Sequence, residues 1–145
     1  MSSSSGDVPF VPTREEPVTF RARTVTASLT VKDLAKSIKW YRDIAAFLVD
    51  EEWERDGKVV GVSLKAGDIE LWLAQDDGAK GWDRAKGEGI SLNFNTVQDV
   101  DMLAKGMKER GGVLDSEPTD MPWGARSFRV KDPDGYKLSI SKDKE

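Results

Sequence analysis

Apolar and polar side chains alternate over residues 25–31, which predicts a strand with one buried face. Apolar residues then recur at helical spacing from Leu34 to Leu48, and Asp33 directly before them is a suitable N-cap. Sequences rich in Gly and Asp separate the apolar stretches that follow. These stretches predict three more strands, over 49–55, 59–64 and 69–74. The first half of the chain is therefore predicted to be a βαβββ unit.

The same order of elements recurs in the second half. Residues 89–95 alternate between apolar and polar side chains, and apolar residues at helical spacing predict a helix over 98–110. Gly111 and Gly112 provide the left-handed backbone that commonly ends a helix. Three strands complete this half, over 113–116, 125–131 and 137–141. The repeated order indicates an internal duplication.

Two segments show neither the alternation of a strand nor the apolar spacing of a helix. Residues 1–20 begin with a run of serines and contain three prolines, a composition that predicts a flexible arm, although its apolar residues could dock on the body or on a second subunit. Residues 76–88 are rich in Gly, Asp and Lys and predict a linker. The prediction is a single α+β domain over 21–145, with module one at 24–75 and module two at 89–143.

Composition and charge exclude several kinds of chemistry. The 145 residues include no Cys and no His, which excludes disulfides, thiolate catalysis and imidazole as a base or metal ligand. The net charge of −4 argues against nucleic-acid binding, which depends on clustered Lys and Arg. The sequence has neither a secretion signal nor an apolar run of about 20 residues. We therefore expect a soluble cytoplasmic protein with no membrane partner.

Two segments resemble a known superfamily. Residues 29–44 read LTVKDLAKSIKWYRDI, and residues 122–138 read PWGARSFRVKDPDGYKL. Both are similar to the vicinal oxygen chelate superfamily, which includes glyoxalase I, extradiol dioxygenases and the bleomycin-resistance proteins. The resemblance implies that each βαβββ module curves its mixed sheet around a cup, with the helices outside, and that two chains usually form a homodimer.

Enzymes of that superfamily generally hold a divalent metal in the cup on four ligands, mostly His and Glu. The resemblance places those four positions at Thr26, Glu70, Gly89 and Ser139. Only Glu70 is a suitable metal ligand, so we expect neither a metal nor another cofactor, as in metal-free bleomycin-resistance-like members. Ala46 stands where the family often has a helix-ending Gly, and a left-handed backbone there would cost about 1 kcal/mol or more.

The alternation of side chains between the two faces of each strand describes the predicted cup independently of the resemblance. Assigning the apolar positions to the helix side leaves an opposite face rich in hydroxyl and amide groups. This face contains Thr26, Ser28, Thr30, Ser63, Glu70, Trp72, Ser91, Asn93, Asn95, Ser127, Arg129, Ser139 and Ser141. Parity alone allows either a ligand cup or an ordinary solvated sheet face. The resemblance favours the cup.

Several residues of this face are candidates for ligand binding. Glu70 and Trp72 are two residues apart on one strand, which suits a cation or a flat ring, or else is an exposed Glu beside a packing Trp. Trp123 could close over the cup, and Arg129 could pair with Glu70 or bind an anionic ligand group. The predicted ligand-binding set is Glu70, Trp72, Ser28, Ser91, Asn93, Trp123, Arg129 and Ser139.

Three functions remain open at this point. The favoured one is a metal-independent protein that sequesters a cationic or aromatic small molecule, as in antibiotic resistance. The second is a lyase-like or dioxygenase-like enzyme in which Glu70 acts as a base or holds an altered metal centre. The third is a dimeric adaptor whose cup is filled by side chains or by residues 1–17.

Overall fold

The computed structural model describes residues 20–142, in which it has eight strands and two helices. Module one contains β1 (Ala27–Val31), α1 (Leu34–Asp43), β2 (Leu48–Arg55), β3 (Lys58–Ala66) and β4 (Ile69–Gln75). Module two contains β5 (Ser91–Asn95), α2 (Val100–Glu109), β6 (Leu114–Asp120), β7 (Arg126–Lys131) and β8 (Lys137–Lys142). Apart from Phe20, the predicted arm lies outside the described residues. In the described range, neither helix has the length and apolarity that crossing a membrane would require.

Each module forms its own four-stranded mixed sheet. The strand orders are β1-β4-β3-β2 and β5-β8-β7-β6. β1 and β5 run parallel to β4 and β8, while the other pairs are antiparallel. The prediction of an α+β fold with two tandem βαβββ modules is confirmed.

Several predicted boundaries were wrong. β5 begins at Ser91 instead of 89, and β6 continues to Asp120, well beyond the predicted end at 116. Pro118 interrupts the alternating pattern of β6, but two irregularities in the β6–β7 register accommodate it on an edge strand. Leu48, predicted as the last apolar position of the first helix, instead begins β2.

The helix ends depend on side chains and on left-handed backbone. The Asp33 carboxylate accepts a hydrogen bond from the backbone N–H of Lys36, and Asp99 caps α2 in the same way. Ala46 has a φ of 65°, so the left-handed conformation inferred for this position is present without the glycine that would favour it. Gly111, at a φ of 99°, follows α2 as predicted.

The hydrophobic core lies between the two modules. Apolar residues from both sheets and both helices form one buried cluster. Phe47, just before β2, packs edge to face on Phe94 of β5 with ring centroids 6.1 Å apart. The helix-covered faces of both sheets contribute to this cluster, whereas the two hydroxyl-rich faces lie outside it.

A buried polar contact fixes this arrangement. The Tyr41 hydroxyl of α1 donates to Asp132 Oδ2 over 2.6 Å, and the backbone N–H groups of Asp134 and Tyr136 donate to Asp132 Oδ1 over 2.9 Å. Burial raises the pKa of Asp132, while burial and the nearby Asp132 charge raise the pKa of Tyr41 well above its usual range. The turn after β7 is therefore held against the helix of module one.

The connection between the modules has a buried ion pair of its own. Lys86 Nζ lies 3.0 Å from Asp76 Oδ2, and both side chains are almost fully buried. The backbone N–H of Gly78 donates to Asp76 Oδ1, and this bond, together with Lys86, lowers the pKa of the carboxyl group. The segment predicted as a linker contains turns and no helix or strand.

Candidate functional site

A cavity with polar and apolar walls lies on the outer face of module two. Its volume is about 620 Å³. It is lined by Gly89, Ile90, Ser91, Asn93, Asn95, Met121, Trp123, Ala125, Ser127, Arg129, Lys137, Leu138, Ser139 and Ser141. The structure thus brings together five of the eight predicted site residues. The other three, Ser28, Glu70 and Trp72, lie on module one.

The strand register arranges the polar side chains of this cavity in rows. Asn93 pairs with Ser139, Ser139 with Arg129, and Arg129 with Ser116. Because neighbouring strands are about 4.8 Å apart, this row presents an amide, two hydroxyls and a guanidinium at regular spacing across the sheet. All four side chains are on the face opposite the core.

A cluster of hydroxyl groups forms part of the cavity floor. Ser141 Oγ donates to Ser127 Oγ over 3.0 Å, and Ser127 Oγ and Ser139 Oγ are 3.1 Å apart. Ser127 is only 2% exposed, so its hydroxyl is satisfied by its neighbours. Each of these hydroxyls has further donor or acceptor capacity, because a serine offers one donor and two lone pairs.

The charge of the cavity is positive. Arg129 and Lys137 line it, and no Asp or Glu is among the described residues that do. Arg126 has the opposite parity and binds Asp101 over 2.7 Å and Asp120 over 3.1 Å, which raises its pKa. Lys137 was missed at the sequence level, although it has the same parity as Ser139, two residues later.

The mouth of the cavity is apolar on one side. A tight turn joins β6 to β7, with the backbone N–H of Gly124 donating to the carbonyl of Met121 over 3.0 Å. Trp123 is on this turn and is 74% exposed. Met121, on the same turn, and Ile90, just before β5, also line the cavity and were not predicted, because they belong to connecting segments where strand parity does not apply.

The corresponding face of module one is aromatic and acidic. Trp72 Nε1 donates a hydrogen bond to Glu70 Oε2, so these two residues contact each other as predicted. Trp72 also packs edge to face on Trp53 of β2, with centroids 5.6 Å apart. Trp53 lies over Gly61, where a Cβ atom would be 3.0 Å from the ring. A register shift after Val49 obscured the parity of Trp53 in the sequence.

The four positions implied for a family metal do not fit one. Only Glu70 has a side chain that commonly binds a metal ion, since Thr26 and Ser139 offer neutral hydroxyls and Gly89 has no side chain. Glu70 pairs across the sheet with Lys65, while Ser139 pairs with Arg129, so the positions are not equivalent points of the two modules. Within residues 20–142, carboxylates form no group of three that could hold a metal ion.

Comparison with known proteins identifies the superfamily. A family model described as Glyoxalase/Bleomycin resistance protein/Dioxygenase superfamily matches residues 23–140. The chain belongs to this superfamily. A comparison with curated proteins gave no significant match.

Solved structures of the superfamily have the same fold. A glyoxalase/bleomycin resistance protein/dioxygenase from Nocardioides is 20% identical, with a TM-score of 0.68 over 88% of each chain. TioX from Micromonospora sp. ML1 is 17% identical, with a TM-score of 0.68 over 83% of this chain and 98% of that one. A superfamily member from Sphaerobacter thermophilus DSM 20745 is 24% identical, with a TM-score of 0.67 over 84% of this chain and 98% of its own. These identities support the fold alone.

Proposed function

We propose that the chain is a metal-independent small-molecule-binding protein that sequesters a cationic or aromatic compound in the cytoplasm. The cavity of module two carries this proposal, because its size suits an organic molecule and its walls combine hydroxyl, amide and aromatic groups. Most of these groups are not required by the core, which lies on the other side of the sheet. Their arrangement is better suited to holding a ligand than to stabilising the fold.

The chemistry of the lining favours binding over catalysis. General acid–base catalysis requires a group that exchanges protons near neutral pH, such as His or a perturbed carboxyl. The chain has no His, and the described cavity residues include no carboxyl group. A guanidinium is not a general base in proteins, and serine hydroxyls are weak nucleophiles without a neighbouring base. We therefore do not assign a reaction to the cavity.

A second copy of the chain would complete the cup. Glu70 and Trp72 suit a cation or a flat ring, but neither residue lines the cavity of the same chain. β1 and β5 are edge strands of their sheets in the described part of the chain, so either edge can pair with another copy. In a homodimer with module one of one copy facing module two of the other, both faces would line the same cup.

A ligand screen with paired tryptophan variants tests the proposal. Thermal-shift and calorimetric titrations against cationic, neutral and anionic aromatic compounds should identify ligands. Trp123→Ala should weaken their binding about tenfold, because exposed aromatic residues at a binding site are frequent hot spots. Trp82→Ala is the matched control, since Trp82 is also an exposed loop tryptophan but is not on the cavity wall. The absence of any ligand across these classes would refute the proposal.

Metal independence and assembly have separate tests. Ligand affinity should be the same before and after chelator treatment, and a loss of binding that added Zn²⁺ or Mn²⁺ restores would contradict metal independence. Native mass spectrometry should give twice the chain mass of 16.1 kDa. A monomer that binds ligand with full affinity would show that the second copy is not needed.

A further inference from the structure

We infer that the ligand of the proposed cup carries a carboxylate, and that Arg129 in module two binds it. This inference rests on the proposed function and adds the chemical class of the ligand. It differs from the expectation of a purely cationic compound, which came from Glu70 and Trp72 alone.

The guanidinium of Arg129 is not used within the described part of the chain. Among residues 20–142 it forms no ion pair and donates no hydrogen bond, whereas Arg126 three residues earlier is held by two carboxylates. A guanidinium has five N–H donors in a planar fork, and two of them match the two oxygens of a carboxylate. Arg129 is therefore available for a bidentate contact with a ligand.

The groups around Arg129 favour a negative charge. Lys137 lies on the adjacent strand and lines the same cavity. Ser139 is directly opposite Arg129, and Asn93 follows in the same row, so their hydroxyl and amide groups can donate to an anion. This local positive charge contrasts with the net charge of −4 of the whole chain. A cationic ligand would be repelled at this point of the cup.

The rest of the ligand would be apolar. Met121 and Trp123 line the cavity at the β6–β7 turn, and Ile90, Ala125 and Leu138 add apolar surface. A volume of about 620 Å³ is in the range of pockets that hold drug-sized molecules. An aromatic or alicyclic carboxylic acid satisfies both the charge and the apolar wall.

The decisive experiment is a screen of compounds that share a ring and differ in charge. Aromatic carboxylic acids are screened against the full chain by ligand-observed NMR, each together with the primary amide and the amine of the same ring. Acids should bind more tightly than their amides and amines, and added NaCl should weaken only the acids. Amines or amides that bind as well as the acids would overturn the inference and leave the proposed function intact. If no compound of any charge binds, the proposed function fails as well.

Variants of Arg129 give the second readout. Arg129→Gln should weaken the acids about tenfold or more and leave the amides unchanged, because a hydrogen-bonded charge pair is lost. Arg129→Lys should restore part of the affinity, since the charge remains but the fork is lost. Lys105→Gln, on the exposed face of α2, is the control for the same change in net charge. An unchanged acid affinity in Arg129→Gln, as expected if Arg129 instead pairs with Glu70 of a second copy, would overturn the inference.

Discussion

The outer faces of the two modules have the same backbone plan and different chemistry. In module one, Ser63 lies opposite Trp72 across β3 and β4. When only the outward-facing pairs are counted from the turn, this is the second pair, and the second such pair of module two is Arg129 and Ser139. A large ring in one module therefore corresponds to a small hydroxyl in the other.

The charges differ in the same way. Glu70 is at the beginning of β4, and the equivalent position of β8 is Lys137. The tryptophans of module one cover the surface of their own sheet, and Trp53 lies flat because Gly61 has no side chain. In module two the short side chains leave that space open, which explains why the large cavity is on module two.

This difference shows where a duplicated module is free to change. The inner faces of both sheets contribute to one core, so their residues must remain apolar and must pack. The outer faces do not share that requirement, and a substitution there costs little stability. Chemistry therefore diverged on the faces that the core does not use.

The largest expected effect comes from making module two resemble module one. Ser139→Trp places a large ring at the position equivalent to Trp72 and fills the cavity from its floor. We expect loss of ligand binding by about a hundredfold or more, because the ring occupies the volume that the ligand needs. Isothermal titration calorimetry with a ligand from the screen measures this loss of affinity. Val97→Trp, at an exposed position outside the cavity, is the control, and equal losses in both would contradict the assignment.

A second prediction concerns the buried hydrogen bond between the two modules. Tyr41→Phe removes the hydroxyl that donates to the buried Asp132 carboxylate. We expect the free energy of unfolding near neutral pH to fall by about 1–3 kcal/mol, because a buried acceptor loses its partner. Chemical denaturation monitored by fluorescence measures this, and a change below the experimental error would show that the contact is not needed.

The same contact predicts a pH dependence. Because burial raises the pKa of Asp132, its contribution to stability is largest below the usual Asp pKa of about 4 and is lost as the pH rises through the raised value. The cost of Tyr41→Phe should therefore be smaller in acid than near neutral pH. Asp132→Asn is the control, since it has no carboxyl group at this position and its stability should lack this pH-dependent contribution. An equal cost of Tyr41→Phe at both pH values would contradict the burial argument.

Removing the Trp72 side chain from the outer face of module one should have a smaller effect on stability. Trp72→Ala removes the edge-to-face contact with Trp53, and the side chain is 38% exposed in the wild-type chain. We expect a loss of about 1–2 kcal/mol in the free energy of unfolding, measured by thermal or chemical denaturation. Trp82→Ala, which removes a loop tryptophan without a stacked partner among the described residues, should cost less. The reverse order would contradict the role given to the Trp53–Trp72 pair.

The smallest effect is expected for the carboxylate of module one. Glu70→Gln keeps an oxygen that can accept the Trp72 Nε1–H, so the stability should change by no more than about 0.5 kcal/mol. If module one faces the cavity in a homodimer, binding of amine-containing ligands should weaken by about two- to fivefold, as for an exposed charge pair. Titration of an amine and its amide measures it. Equal losses for both would show that the charge of Glu70 is not involved.

Much of the fold could be predicted because it depends on local periodicity. The alternation around Leu29 and the helical spacing after Asp33 were sufficient for β1 and α1, and their repetition predicted the duplication. Boundaries failed where a long-range partner decided them. β6 extends past Pro118 because β7 provides its hydrogen bonds, and the local sequence pattern cannot predict that pairing.

The candidate site was predicted residue by residue but not as an assembly. Parity placed Asn93, Arg129 and Ser139 on one face because side chains alternate strictly along a strand. The same rule put Glu70 and Trp72 on the outer face of their own sheet, and it could not reveal that neither residue lines the cavity of module two.

The sequence by itself determined the two βαβββ modules, the polarity of each strand face and the absence of His and Cys chemistry, because these depend on residue types and their local spacing. Only the tertiary structure decided that both modules share one core, that the cavity is on module two and that Arg129 and Lys137 make it cationic. Those features depend on how two sheets pack around a shared core, through contacts such as Tyr41 with Asp132 that are 91 residues apart in the chain.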